Sequence, residues 1–189
     1  YAACMIAHQF KKQTMVAGIL RHSGGVRIDH IIGLFRLWWV PQGLSAKEGT
    51  YVRYDHEALI GILALEAHRA QALVIGEDLG TVQPWVRDYL SRRGILGTSV
   101  LWFEADEHGQ PLPADRWREY CMASVTTHDL PPSLGYLAGD HVRLRDQLGI
   151  LTEPLSDELT AAAREQADWL GKLVADGVLD EAKRDDPVE

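Results

Sequence analysis

Four short apolar runs, each closing on polar residues and alternating with helix-like stretches, leave this chain few folds to choose from. They are Gly25-Val26-Arg27-Ile28-Asp29-His30, Ala72-Leu73-Val74-Ile75-Gly76-Glu77-Asp78, Thr98-Ser99-Val100-Leu101-Trp102-Phe103-Glu104 and Ala123-Ser124-Val125-Thr126-Thr127-His128-Asp129. Runs this short, rich in β-branched and aromatic residues, read as buried strands of a parallel sheet. Residues 55–71 carry Leu59, Ile62, Leu63 and Leu65 near helical spacing, with Asp55 placed to cap the helix. Residues 84–93 open on Pro84 and stop at Gly94, the usual asymmetry of helix ends. Residues 140–148 stop at Gly149, and 156–175 read as a long helix with a polar face. Strand and helix in alternation predict an α/β fold on a parallel sheet.

The residues at the strand ends decide between an open and a closed sheet. Asp29, Glu77 and Asp129 end the first, second and fourth runs. In a (β/α)8 barrel the catalytic groups sit where strands pass into the following loops. A doubly wound open sheet would more often carry a glycine-rich phosphate loop after its first strand, and no G-x-G-x-x-G or P-loop pattern occurs. The expectation is therefore α/β, part of a (β/α)8 TIM barrel. Eight strands take about 250 residues, so 189 residues with four strands amount to half of one. The start at Tyr1 rather than Met points the same way, to a chain cut from something longer.

Charge and cysteine content narrow the partners. Nineteen Lys and Arg against 27 Asp and Glu give −8, the wrong sign for a phosphate backbone. The excess is local: Glu153–Glu189 holds 11 acids and 4 bases, a solvated acidic tail behind a nearly neutral, Trp-bearing remainder. No apolar run approaches the roughly 18 residues of a membrane span, and the first ten residues lack a signal peptide's layout. Two cysteines, Cys4 and Cys121, fit a reducing, cytoplasmic setting better than a disulfide scaffold.

Three acids delivered to one barrel mouth suit glycosidic-bond chemistry. A retaining enzyme places two carboxyl groups roughly 5–5.5 Å apart, one a nucleophile and the other an acid/base. Arg27 and Asp29 are two apart on a strand and share a face, so the guanidinium would keep the carboxylate ionised. Glu77, after Leu73-Val74-Ile75 and beside Asp78, has the partly desolvated, like-charged setting of a general acid. Taken singly, an acid at a strand end is more often a helix cap or a solvated loop residue, and spacing alone does not show that the three converge.

Taken as blocks, they resemble a known family. Arg27-Ile28-Asp29-His30 with Leu34-Phe35-Arg36-Leu37-Trp38-Trp39-Val40-Pro41 is similar to the nucleophile region of the 4-α-glucanotransferases (amylomaltases, glycoside hydrolase family 77). Val74-Ile75-Gly76-Glu77-Asp78-Leu79-Gly80 resembles their acid/base region, and Thr126-Thr127-His128-Asp129-Leu130-Pro131 their third catalytic region. Gly49-Thr50-Tyr51-Val52 with Tyr54, and Val100-Leu101-Trp102-Phe103-Glu104, match between those blocks, and the likeness runs from about Val16 to Asp176. The resemblance implies barrel strands four to seven, and transfer of a 1,4-α-glucan segment to the 4-hydroxyl of another sugar without a cofactor. It makes Asp29 the nucleophile, Glu77 the acid/base, and Asp129 the group holding the sugar 2- and 3-hydroxyls. Arg27 would orient Asp29, and His128 would hydrogen-bond the donor sugar. The implied partners are α-1,4-glucans and maltooligosaccharides. A related α-glucan hydrolase, and an inactive fragment, are the alternatives.

By this reading residues 1–14 are unmatched, 15–152 form part of the catalytic barrel, and 153–189 are an acidic helical segment of the same domain. Trp39 and Tyr54 are further candidates to touch the glucan. Trp38 and Trp39 are neighbours on an extended chain, so one of the two is expected to pack inward. The pairs His56-Glu57 and Glu66/His68 invite a metal reading, but they lie almost three helical turns apart with no third ligand, and no metal is expected. Cys121 reads as a buried thiol.

Overall fold

A computed structural model describes residues 13–184. Most of the segment 1–14, expected above to fall outside the family likeness, and the last five residues of the acidic tail lie outside the described residues. The chain divides into two compact units: one takes the chain up to Ser99 together with Arg118–Met122, the other Val100–Trp117 and the chain from Ala123 onward.

The first unit is built on strands β1 (Gly25–Ile28), β4 (Leu73–Gly76) and β5 (Ile95–Val100), with β6 (Cys121–Ser124) next in the sheet order β1-β4-β5-β6. β1 and β4 run parallel with Val26 opposite Val74 and Ile28 opposite Gly76, and β4 and β5 run parallel with Val74 opposite Ile95. β1 and β4 end inside their apolar runs, whereas β5 and β6 begin before theirs, and the later residues of those two runs are not strand. β5 starts at Ile95, straight after the turn made by Gly94 at φ 70°, and ends before a 3-10 turn over Leu101–Phe103. Burial is graded across the sheet. β5 is buried almost throughout, whereas β1, at the sheet edge, is half-buried along its length.

The connections place apolar faces on this sheet. Helix α1 (His56–Ala70) starts where expected: the Asp55 carboxylate accepts the Ala58 N–H at 3.1 Å. Its buried face is Ile60, Leu63 and Ala67, a stripe rotated from the expected set, and Leu65 is exposed. Helix α2 (Pro84–Ser91) buries Val86 and Leu90, one turn apart. With Val74 and Ile95 of the sheet, Ile31 and Phe35 of the loop after β1, and Val16 and Leu20 of the helical residues 13–20, these make one core.

A hairpin absent from the sequence reading intervenes between β1 and α1. Strands β2 (Arg36–Trp39) and β3 (Thr50–Arg53) pair antiparallel, with Trp38 opposite Tyr51 and Trp39 opposite Thr50. Gly49 admits it: a Cβ there would lie 2.4 Å from the Trp38 indole nitrogen and 2.7 Å from the Trp39 carbonyl.

The second unit holds helices α3 (Ser133–Leu137), α4 (Asp140–Gln147) and α5 (Leu155–Ala175). Trp102 stacks on Tyr136 with centroids 4.5 Å apart and meets Trp169 edge-on at 5.9 Å. Trp169, Leu170 and Val142 are buried with it. The Tyr136 hydroxyl donates to Glu165, and burial together with that carboxylate pushes the phenol well above its ordinary range. No helix among the described residues is long and apolar enough to cross a membrane.

Candidate active site

Parallel neighbours in register bring their last residues out side by side, and here those residues are Asp29 after β1 and Glu77 after β4. The Glu77 N–H donates to the Ile28 carbonyl at 2.9 Å and its carbonyl accepts the Ile31 N–H at 3.0 Å, so the ladder extends one step beyond the strands. Gly76 permits this closeness, because a Cβ there would lie 2.5 Å from Ile31 Cδ1 in the core.

At that ladder end the side chains converge. An Arg27 guanidinium nitrogen lies 2.8 Å from Asp29 Oδ1. His30 faces both acids: Nε2 is 3.5 Å from Asp29 Oδ2 and Nδ1 is 3.1 Å from Glu77 Oε2. Oxygens of Asp29 and Glu77 and a ring nitrogen of His30 all lie within 4.8 Å of one another. The carboxylates differ in setting. The Asp29 side chain is 42% exposed, open to a substrate, whereas that of Glu77 is 8% exposed. Glu77 is also held on both oxygens: the His30 N–H donates to Oε2 at 2.9 Å and the Leu79 N–H to Oε1 at 2.6 Å.

His30 was not singled out from the sequence, although it stands inside the quoted block. Its backbone is left-handed, φ 48° and ψ 51°, a conformation a non-glycine residue adopts at a cost. That turn carries its N–H to Glu77, and no local sequence signal announces it.

Asp78 departs from expectation. It was read as a like charge beside Glu77, but successive side chains point to opposite sides of an extended chain. Its carboxylate turns to β5 and Arg118, whose two terminal nitrogens contact it at 2.6 and 3.0 Å. The charge expected to act on Glu77 is thus paired elsewhere.

The aromatic candidates form a group of their own on the hairpin. The Trp39 indole N–H donates to the Tyr54 hydroxyl at 2.9 Å. Trp38 donates to the Ala46 carbonyl and packs edge-on against Tyr51 at 5.0 Å. Neither tryptophan packs inward: Trp38 is 46% and Trp39 56% exposed. A two-stranded hairpin projects these neighbours to opposite faces, and both faces stay open. A cavity of about 310 Å³ beside the hairpin is lined by Phe35, Arg36, Arg53, Tyr54, His56 and Trp85 among others.

His128 and Asp129 belong to the second unit, in an exposed turn after β6. The Thr127 hydroxyl donates to Asp129, and the Thr126 hydroxyl closes the turn on the Pro131 carbonyl at 3.1 Å.

Two of the residues weighed for a metal have other partners. His56 stacks on Phe35 at 4.9 Å, and Glu66 accepts from Gln13 and Arg69, each at 2.8 Å. Cys121 is half-buried rather than buried, its thiol donating to the Arg118 carbonyl at 3.0 Å.

One oxygen of Asp29 and one of Glu77, at the ends of adjacent parallel strands, thus lie closer together than the roughly 6.5–9.5 Å between the carboxyl groups of an inverting glycosidase. The chain belongs to glycoside hydrolase family 77, whose description is 4-alpha-glucanotransferase and whose profile matches residues 8–184. It is 61% identical over 181 residues to the 4-alpha-glucanotransferase of Mycobacterium tuberculosis (strain H37Rv), covering 94% of this chain and 25% of that protein. The 4-alpha-glucanotransferase of Haemophilus influenzae (strain KW20) is 37% identical over 166 residues, covering 87% of this chain and 24% of that protein. Among solved structures, amylomaltase from Corynebacterium glutamicum superposes with a TM-score of 0.86 at 46% identity, covering 94% of this chain and 26% of that one. The chain thus spans about a quarter of the length of the curated relatives it matches. The α/β class read from the strand pattern, part of a (β/α)8 barrel, holds.

Proposed function

We propose that this chain carries the catalytic carboxylates of a 4-α-glucanotransferase that moves a segment of a 1,4-α-glucan to the 4-hydroxyl of an acceptor sugar, with retention at the anomeric carbon. The observation that carries the reading is that one oxygen each of Asp29 and Glu77 approach to within 4.8 Å, which supports a retaining pair, whose carboxyl groups stand about 5–5.5 Å apart, over an inverting one at about 6.5–9.5 Å.

In the first step an Asp29 oxygen attacks the anomeric carbon, and the bond to the leaving oxygen breaks as Glu77 gives that oxygen its proton. The product is a β-glycosyl ester on Asp29. In the second step Glu77 takes the proton of an acceptor 4-hydroxyl, whose oxygen displaces Asp29 and restores the α-linkage. Arg27, 2.8 Å from Asp29, orients it and favours its ionised form. Asp129 is assigned the sugar 2- and 3-hydroxyls and His128 a donor-sugar hydrogen bond, on the family likeness of their block. Trp39, exposed, and the half-buried Tyr54 that accepts its indole N–H form an aromatic pair on which a glucan can stack. Maltooligosaccharides are the proposed substrates, no cofactor is needed, and a cytoplasmic setting fits them.

A polypeptide of the relatives' full length carrying this segment, incubated with maltotriose, should yield glucose together with longer maltooligosaccharides. Accumulation of hydrolysis products alone would replace the transferase with an α-glucan hydrolase.

A further inference from the structure

Immediately behind Glu77 lies a buried ionic network that the proposed chemistry does not use. Asp78 is 1% exposed. Its Oδ1 accepts the Thr98 N–H at 3.0 Å and an Arg118 nitrogen at 3.0 Å, and its Oδ2 accepts the other Arg118 nitrogen at 2.6 Å. Arg118 also donates to the Thr98 carbonyl at 2.5 Å, and the Thr98 hydroxyl donates to the Gly76 carbonyl at 3.3 Å. Arg87 donates to the Asp78 carbonyl at 3.1 Å, with its Nε 3.5 Å from Oδ2. The guanidinium reaches this place by lying across Gly97, where a Cβ would sit 2.4 Å from it. Residues 76–78 are thus gripped at the Gly76 carbonyl, the Asp78 carbonyl and the Asp78 carboxylate, leaving Glu77 little freedom to swing.

We infer that Arg118, through its two-pronged pair with Asp78, is a positioning residue that fixes the direction of the Glu77 carboxyl toward the glycosidic oxygen. A planar fork holds a carboxylate in one orientation, which a lysine's point charge does not. Misplacing a proton donor by a fraction of an ångström costs rate in proportion to how much the leaving group needs the proton. The inference rests on Glu77 being the acid/base.

The test uses the full-length polypeptide carrying this segment and two donors: maltotriose, whose sugar leaving group needs a proton, and α-maltosyl fluoride, whose fluoride leaves with little help. Single-turnover release of glucose and of fluoride is measured for Arg118→Lys, Gly97→Ala, Asp78→Asn and Glu77→Gln. Arg118→Lys and Gly97→Ala should lose roughly 10- to 100-fold on maltotriose, at or below the range of general acid catalysis, and change little on the fluoride. Glu77→Gln should show the same selectivity more strongly. Equal losses on both donors in Arg118→Lys and Gly97→Ala, or unchanged rates on both, would overturn the inference while Glu77→Gln keeps its selectivity. Equal losses in Glu77→Gln would remove the acid/base reading itself. Asp78→Asn risks failing to fold, since it leaves Arg118 partly buried without its carboxylate; the other two variants keep the acid and decide the matter alone.

Discussion

At the scale of single residues, function here depends on direction as much as identity. Arg27 and Asp29 were legible as a pair because strand alternation puts residues two apart on one face, and the structure closes them to 2.8 Å. The same rule, one residue along, separates Glu77 from Asp78, whose carboxylate turns to Arg118. His30 was hidden for a different reason: a left-handed histidine is set by its surroundings, not by its neighbours in sequence. In a polypeptide of the relatives' full length carrying this segment, replacing Asp29 by Ala should lower maltotriose disproportionation on the order of 10⁴-fold or more, the scale at which groups acting as a unit are lost, with the fold unchanged by circular dichroism. A variant that kept a tenth of the activity would end the nucleophile assignment.

At the scale of elements, caps and glycine punctuation were readable, while short strand pairs were not. Asp55 caps α1 and Gly94 ends the turn after α2, as the pattern predicts. The β2–β3 hairpin escaped notice because a 4-residue strand carries too little periodicity to separate from loop. Asp55→Ala should lower stability by about 1 kcal/mol, the usual worth of such a cap, read from denaturant midpoints at constant m. Gly76→Ala should cost about 1–3 kcal/mol, the range for overpacking a core, because the new methyl meets Ile31 at 2.5 Å. A neutral result would mean that Ile31 yields freely. In the second unit, His141 stacks on Tyr136 at 4.8 Å with its Nδ1 buried and unpartnered. Burial first, and Arg145 second, hold its proton affinity below the ordinary 6.5, against the pull of Glu165, Asp140 and Glu158. The folded state therefore binds that proton less readily than the unfolded one. The contribution is present above pH 6.5 and is lost as pH falls below it. Tryptophan-detected melting should fall between pH 7.5 and 5.5, and His141→Gln should flatten that decline; parallel profiles would exclude His141 as the source.

For the whole molecule, the alternation of strand and helix was enough to reach the fold class, because the crossover between parallel strands is usually a helix, although only 3-10 turns lie between β5 and β6. The two-unit division was not readable, since its seam passes through β5 and β6 rather than a linker. An apolar groove on the first unit, lined by Met15, Val16, Ile28, Leu34, Leu59, Ile62 and Leu63, carries no polar surface. It is the kind of surface a stable fold keeps covered. The 189 residues by themselves should melt broadly and bind the dye ANS, and Leu59→Asn should weaken that binding. A sharp transition without dye binding would show the chain to be a self-sufficient unit.

Trapping distinguishes the two assigned roles, Asp29 as nucleophile and Glu77 as acid/base on one sugar. In the full-length polypeptide carrying this segment, Glu77→Gln should accept the glycosyl group of α-maltosyl fluoride and hold it, because the base that would activate an acceptor is gone. Peptide mapping by mass spectrometry is then expected to place one maltosyl adduct on Asp29. An adduct on another carboxylate, or release of β-configured maltose with no adduct formed, would rule out Asp29 as the nucleophile.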